Sequence, residues 1–64
     1  SGVSDLILLV GRNGFNSLCI EMKKKTSQSI NQKCWQLEAE RNGNKYVVCK
    51  SFDEFRMVIE EYLN

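Results

Sequence analysis

The 64-residue sequence predicts a small α/β (α+β) domain, a mixed sheet flanked by helices in the order β-β-α-β-α. Three features predict it. Apolar segments at Leu6 to Val10 and Leu18 to Lys23 flank an Asn-Gly turn, and a helix start of the form Ser-x-x-Gln follows at Ser29. A further apolar run, Tyr46 to Cys49, stands just ahead of a second helix start at Ser51.

Leu6-Ile7-Leu8-Leu9-Val10 is apolar on both alternating faces, the pattern of an interior strand covered on both sides. Gly11-Arg12-Asn13-Gly14 then signals a tight turn, because Asn and Gly accept the positive φ that short hairpins need. Leu18 to Lys23 reads as a second, antiparallel strand. Its alternation puts Leu18, Ile20 and Met22 on one face and Cys19, Glu21 and Lys23 on the other. Ser29-Ile30-Asn31-Gln32 fits a capping box, with Ile30, Cys34 and Leu37 continuing at helical spacing and Gly43 as a C-terminal stop. Trp35 cannot share a face with Cys34 and is expected to pack. Lys45 to Lys50 encloses a third strand; the helix before it makes a crossover, for which a right-handed parallel connection is favoured. Ser51-Phe52-Asp53-Glu54 reads as a second capping box, opening a helix whose expected buried stripe is Phe52, Phe55, Ile59 and Leu63.

A chain this short is at most one domain, residues 1–64, since it buries only about 60% of its unfolded surface. Composition is that of a globular protein, 42% hydrophobic and 27% charged. No apolar run approaches the roughly 20 residues of a membrane span and no signal-peptide pattern is present, so the expected location is the cytoplasm. The three cysteines, Cys19, Cys34 and Cys49, are odd in number and widely spaced. That argues for small core residues rather than a disulfide framework or zinc knuckle. Histidine is absent, which removes the commonest general base and zinc ligand. Catalysis, if present, must run on carboxylates and lysine. Residues 1–50 carry eight Lys/Arg against four Asp/Glu, net +4, while residues 51–64 carry one against four, net −3. The basic part suits a polyanion.

Three residues suit phosphodiester chemistry. Glu21 and Lys23, two apart on a strand, share a face about 6.8 Å apart. Asp5, just before the first strand, joins them only if paired positions sum to 26, which requires a loop of roughly Gly11 to Phe15. A two-residue Asn13-Gly14 turn sums to 27 and sends Asp5 to the opposite side. In the even register two carboxylates about 5 Å apart can share a hard divalent cation. Lys23 beside it would position or deprotonate the attacking water and offset charge on the phosphate.

At these residues the sequence resembles a known family. Gly2-Val3-Ser4-Asp5-Leu6, Ile20-Glu21-Met22-Lys23 and Ser29-Ile30-Asn31-Gln32, with Trp35 after it, are similar to the motifs of the virus-type replication-repair nuclease (VRR-NUC) domain, a branch of the PD-(D/E)xK nucleases. Tyr46-Val47-Val48 and Ser51 to Glu54 also look like that domain's closing elements. The resemblance implies a restriction-endonuclease-like core and metal-dependent cleavage of DNA, with Mg²⁺ as cofactor and Mn²⁺ as a substitute. It further implies phage-type dimers acting on branched DNA such as four-way junctions, within DNA repair in a host-cell cytoplasm. Asp5 and Glu21 would be metal ligands, Lys23 the catalytic lysine, and Gln32 a further catalytic residue orienting the site from the helix start. The family pattern has proline at Ser4 and begins upstream, with a helix carrying a glutamate and a first strand. Against that pattern the domain is expected to be truncated at its N-terminus, or to be a minimal form whose missing pieces come from a partner subunit or are dispensable.

Each residue also has a plainer role. Asp5 suits a strand entrance, Glu21 and Lys23 a solvated strand face, and Gln32 a capping box without catalysis. Lys24 and Lys25 are loop lysines that would meet phosphates beside such a site. The rival function is therefore a catalytically silent nucleic-acid-binding or homodimerisation domain that keeps the nuclease fold.

Overall fold

The computed structural model describes residues 3–24 and 28–64. It contains β1 (Leu6–Leu8), β2 (Leu18–Met22), α1 (Ile30–Arg41), β3 (Lys45–Cys49) and α2 (Phe52–Leu63), the order β-β-α-β-α. The sheet runs β1-β2-β3, with β1 antiparallel and β3 parallel to β2. Among the described residues only β2 is interior. The expectation that Leu6 to Val10 forms the interior strand is therefore corrected. β1 is a three-residue edge strand on which Leu6 and Ile7 are exposed, and its apolar run outlasts its pairing because no further strand lies beyond it among the described residues.

The hairpin satisfies two demands that looked incompatible. At its tip Asn13 and Gly14 have φ of 54° and 84°, and Arg12 and Phe15 exchange both backbone hydrogen bonds, at 3.1 and 2.8 Å. That is a two-residue turn with positive φ at both positions. In the strands, however, Leu6 faces Ile20 and Leu8 faces Leu18, so paired numbers sum to 26. The difference is absorbed on the first strand: three residues separate Leu8 from Arg12 and only two separate Phe15 from Leu18. An extra residue on one side is a bulge, which bends the strand and leaves a carbonyl unpaired. The buried Tyr62 near the end of α2 donates its hydroxyl to the Val10 carbonyl at 2.6 Å. The expected register holds, but the loop is a tight turn plus a bulge rather than an open Gly11-to-Phe15 loop.

Helices cover both faces of the sheet. On one, Leu18, Ile20, Cys49 and Tyr62 form a buried cluster joined by Phe55, Val58 and Ile59 of α2. On the other, Cys19, Tyr46 and Ala39 of α1 pack with Trp35, whose ring lies 5.9 Å from that of Tyr46. Ser29 caps α1 with the full capping box, and Gly43 ends it at φ 83°. Ser51 accepts from the Glu54 amide, but the Glu54 carboxylate takes the Lys50 amide rather than that of Ser51, so the second capping box is only half formed.

Both helices are rotated from the faces their apolar spacing predicts. In α2 the inner stripe is Phe55, Val58, Ile59 and Tyr62, while Phe52 and Leu63 stand exposed. Tyr62 buries its ring while its hydroxyl keeps a partner, which turns the helix by a fraction of a turn. In α1, Ile30 and Leu37 are 82% and 55% exposed and Cys34 is also exposed. Gln32, Trp35 and Ala39 face the sheet instead. Cys19 and Cys49 are buried as expected; Cys34 is not a core residue. Among the described residues, no helix is long and apolar enough to cross a membrane.

Candidate active site

Glu21 sits in the interior strand on the face that α1 covers, 5% exposed. A carboxylate at such a position needs partners. Gln32 supplies one: its side-chain amide donates to Glu21 Oε2 at 3.0 Å, while its Oε1 accepts from the Ser29 amide at 3.0 Å. One side chain thus closes the capping box and ties the start of α1 to β2. The other oxygen, Glu21 Oε1, is buried without a hydrogen-bond partner.

Asp5 lies one step before Leu6 in the register that pairs Leu6 with Ile20, which brings it opposite Glu21. Its Oδ2 accepts from the Met22 backbone amide at 2.8 Å, doing with a side chain what a strand carbonyl would do one residue further along. Burial pushes the Glu21 carboxyl above its ordinary value; the Asp5 carboxylate, close enough to repel it, pushes in the same direction. Lys23 works against both, its positive charge favouring the ionised form. The Asp5 carboxylate and the Lys23 ammonium thus both act on Glu21 at one end of the sheet.

Lys23 is half-buried and continues the Glu21 face of β2; Lys24 is exposed beside it. Lys25 lies outside the described residues. Two grooves of about 320 Å³ lie elsewhere, one between β3 and α2 and one between β1 and the middle of α1, and neither is lined by the trio. The site is an open corner of the sheet, with Asp5 exposed and Glu21 behind it.

No family model, curated protein or solved structure matches this chain. The chemistry of the corner is carried by its donor set. Among the described residues no group of three or more His, Cys, Asp or Glu converges. The carboxylates of Asp5 and Glu21 do come together, and Glu21 has a buried oxygen without a hydrogen-bond partner. That set suits a cation such as Mg²⁺, which takes one or two protein carboxylates and completes its shell with water and phosphate oxygens. The soft or nitrogen ligands that zinc prefers are absent from it.

Two neighbours were not singled out by the sequence. Tyr46, paired with Cys19 across the parallel register, stands beside the site on the same face; burial, and then the nearby Glu21 charge, raise its phenol above the ordinary value. Gln28 donates to its hydroxyl at 3.4 Å. Ser4 is buried next to Asp5, with its hydroxyl lacking a partner. The signal for Tyr46 lay in the β2–β3 register, which no local pattern encodes. That for Ser4 lay in the approach to β1, which reads as a loop.

Proposed function

We propose that this chain is a metal-dependent DNA endonuclease of VRR-NUC type, in which Asp5 and Glu21 hold Mg²⁺ and Lys23 acts on the scissile phosphate. The observation that carries the reading is the unpartnered, buried Oε1 of Glu21 opposite Asp5. A buried carboxylate oxygen with no donor is costly unless something positive binds it, and a divalent cation shared with Asp5 would remove both that cost and the repulsion between the acids.

When bound, Mg²⁺ supplies Lewis-acid activation of water and of the phosphodiester. The chain's own groups do the rest. Gln32 fixes the Glu21 carboxylate by holding Oε2, leaving Oε1 for the ligand. The Met22 amide holds Asp5 by Oδ2. The Lys23 ammonium, a compact donor, orients the attacking water and offsets negative charge building on the phosphate oxygens. Lys24, and Lys25 in the adjoining segment, supply phosphate contacts that make binding salt-dependent. An open corner rather than a closed cleft suits a polymer backbone, and branched DNA such as a four-way junction is the proposed substrate.

The second reading, a catalytically silent nucleic-acid-binding domain, is favoured by one observation: among the described residues only two carboxylates converge, and each already has one oxygen engaged. One experiment separates the two. Labelled four-way junction and matched linear duplex are incubated with the protein in Mg²⁺, Mn²⁺ or EDTA. The nuclease reading expects metal-dependent cutting that Glu21→Gln and Lys23→Ala abolish. Binding without cutting in either metal supports the silent domain.

A further inference from the structure

Among the described residues β3 is an edge strand, with one side against β2 and the other open. Lys45 donates its amide to the Ser17 carbonyl and Cys49 accepts from the Lys23 amide, both at 2.9 Å, so these residues spend their peptide groups on the β2 side. In a parallel pair alternate residues bond the same neighbour. Tyr46 and Val48 therefore turn their N–H and C=O groups outward, where no described residue takes them.

Beside that open edge, on the α2 face of the sheet, runs a groove of about 320 Å³ lined by Val47 and Val58 and bordered by Met57, Glu54 and Glu61 of α2. Its floor is apolar and its rim acidic. Glu54 and Glu61 are exposed, and among the described residues neither pairs with a cation. Lys45 reaches instead over the Phe15 ring, 5.2 Å from its centre. The Lys50 amide engages one Glu54 oxygen, at 2.7 Å. We propose that the β3 edge and this groove bind an extended basic peptide, added to the sheet as a fourth strand, with an apolar residue flanked at two-residue spacing by Lys or Arg.

Each part of that chemistry follows from the surface. The outward groups of Tyr46 and Val48 offer two donors and two acceptors, which hold an added strand without reading its sequence. Side chains on a strand alternate in direction, so every second residue of the peptide points at the groove, at intervals of about 6.8 Å. The one beside Val47 meets the apolar floor. Met57, 60% exposed and unbranched, can adapt its shape to that residue. The positions before and after it look towards a helix on which Glu54 and Glu61, about 10.5 Å apart along the axis, present one carboxylate each. Long Lys or Arg stems lie along apolar surface while their heads reach such a rim. Residues 51–64 carry a net charge of −3, so an acidic peptide or DNA would be repelled here. Glu21 belongs to the face that α1 covers, and the proposal therefore stands independently of the nuclease reading.

Fluorescence anisotropy of a labelled Lys-Thr-Ile-Thr-Lys peptide, blocked at both ends and titrated with the full chain to about 1 mM, tests the proposal. Saturable binding is expected, weakening as salt is raised. Glu-Thr-Ile-Thr-Glu and Lys-Thr-Ser-Thr-Lys should each bind about tenfold more weakly or worse, a loss of about 1.4 kcal/mol. Glu61→Lys and Met57→Lys alter exposed side chains, so the circular dichroism spectrum should not change, yet each should weaken binding about fivefold or more. In the complex the amides of Tyr46 and Val48 should gain protection from hydrogen exchange, and those of β1 should not. A peptide that does not bind by about 1 mM overturns the proposal. So does equal binding of the acidic peptide, native affinity in both variants, or protection that appears on β1 instead of β3.

Discussion

At the scale of single residues, Glu21 is the position where folding and the proposed chemistry pull apart. Its carboxyl is raised chiefly by burial and then by Asp5, so the folded state favours the protonated form. The sign follows: below the ordinary value of 4.5 the group imposes no penalty, and stability falls as pH rises from there through the raised folded value. Above that value the penalty is complete. Denaturant unfolding of the metal-free protein should therefore find Glu21→Gln increasingly favoured over the native chain as pH rises from 4 to 8; the ordinary value of 4.5 falls inside that span. A constant difference would mean that Glu21 is not electrostatically strained. The same pair of proteins reads out the cation: Mg²⁺ should raise the melting temperature of the native chain and leave Glu21→Gln where it was. Much of this residue's setting was legible, because strand alternation alone puts Glu21 and Lys23 together. The Gln32 contact was legible only as half of a capping box, since nothing local says that the same amide also reaches a neighbouring strand.

At the scale of elements, the hairpin shows how two correct local signals can give an incomplete account. Asn13-Gly14 specifies a two-residue turn, and a site built from Asp5 and Glu21 requires the even register. The bulge between Leu8 and Arg12 reconciles them. It was illegible because its cause is distant: the Val10 carbonyl that it frees is satisfied by Tyr62, 52 residues along the chain. Tyr62→Phe keeps the ring and removes the donor, leaving that acceptor unpaired at a cost of about 1–3 kcal/mol. Urea denaturation measures it. The hairpin amides from Leu9 to Gly11 should also lose protection from hydrogen exchange more than those of β3, and equal losses would show that the bulge does not depend on this contact. The helix faces were misread for a related reason. Spacing identifies an apolar stripe, but which side of a helix meets the sheet depends on what the sheet offers, and here Tyr46 and Glu21 recruit Trp35 and Gln32.

For the molecule as a whole, the element order and the mixed strand directions were readable because each turn and cap has a local signature. The number of strands limits everything else. Among the described residues there are three strands, one interior, and the largest fully buried side chains are Leu18, Ile20 and Cys49. A 64-residue domain typically holds roughly 3–10 kcal/mol of net stability. Ile20→Ala removes about 2–5 kcal/mol, a large share of that total, so it should lower the urea denaturation midpoint steeply. Ile20→Val, at about 0.5–1.5 kcal/mol, should lower it much less. An Ile20→Ala midpoint no lower than that of Ile20→Val would show that the central strand is not where the stability is concentrated.

β3 forms the other edge of the sheet, and its sequence, Lys-Tyr-Val-Val-Cys-Lys, ends in a lysine on either side. Were two such edges to zip together head to tail, Lys45 of one would land on Lys50 of the other at both ends of the new ladder. The like charges act as a guard against fibre growth from an otherwise adhesive strand. Lys45→Thr combined with Lys50→Thr should leave the monomer's fold intact yet shorten the lag before thioflavin-positive aggregates form at neutral pH. High salt, by screening the same repulsion, should shorten it for the native chain.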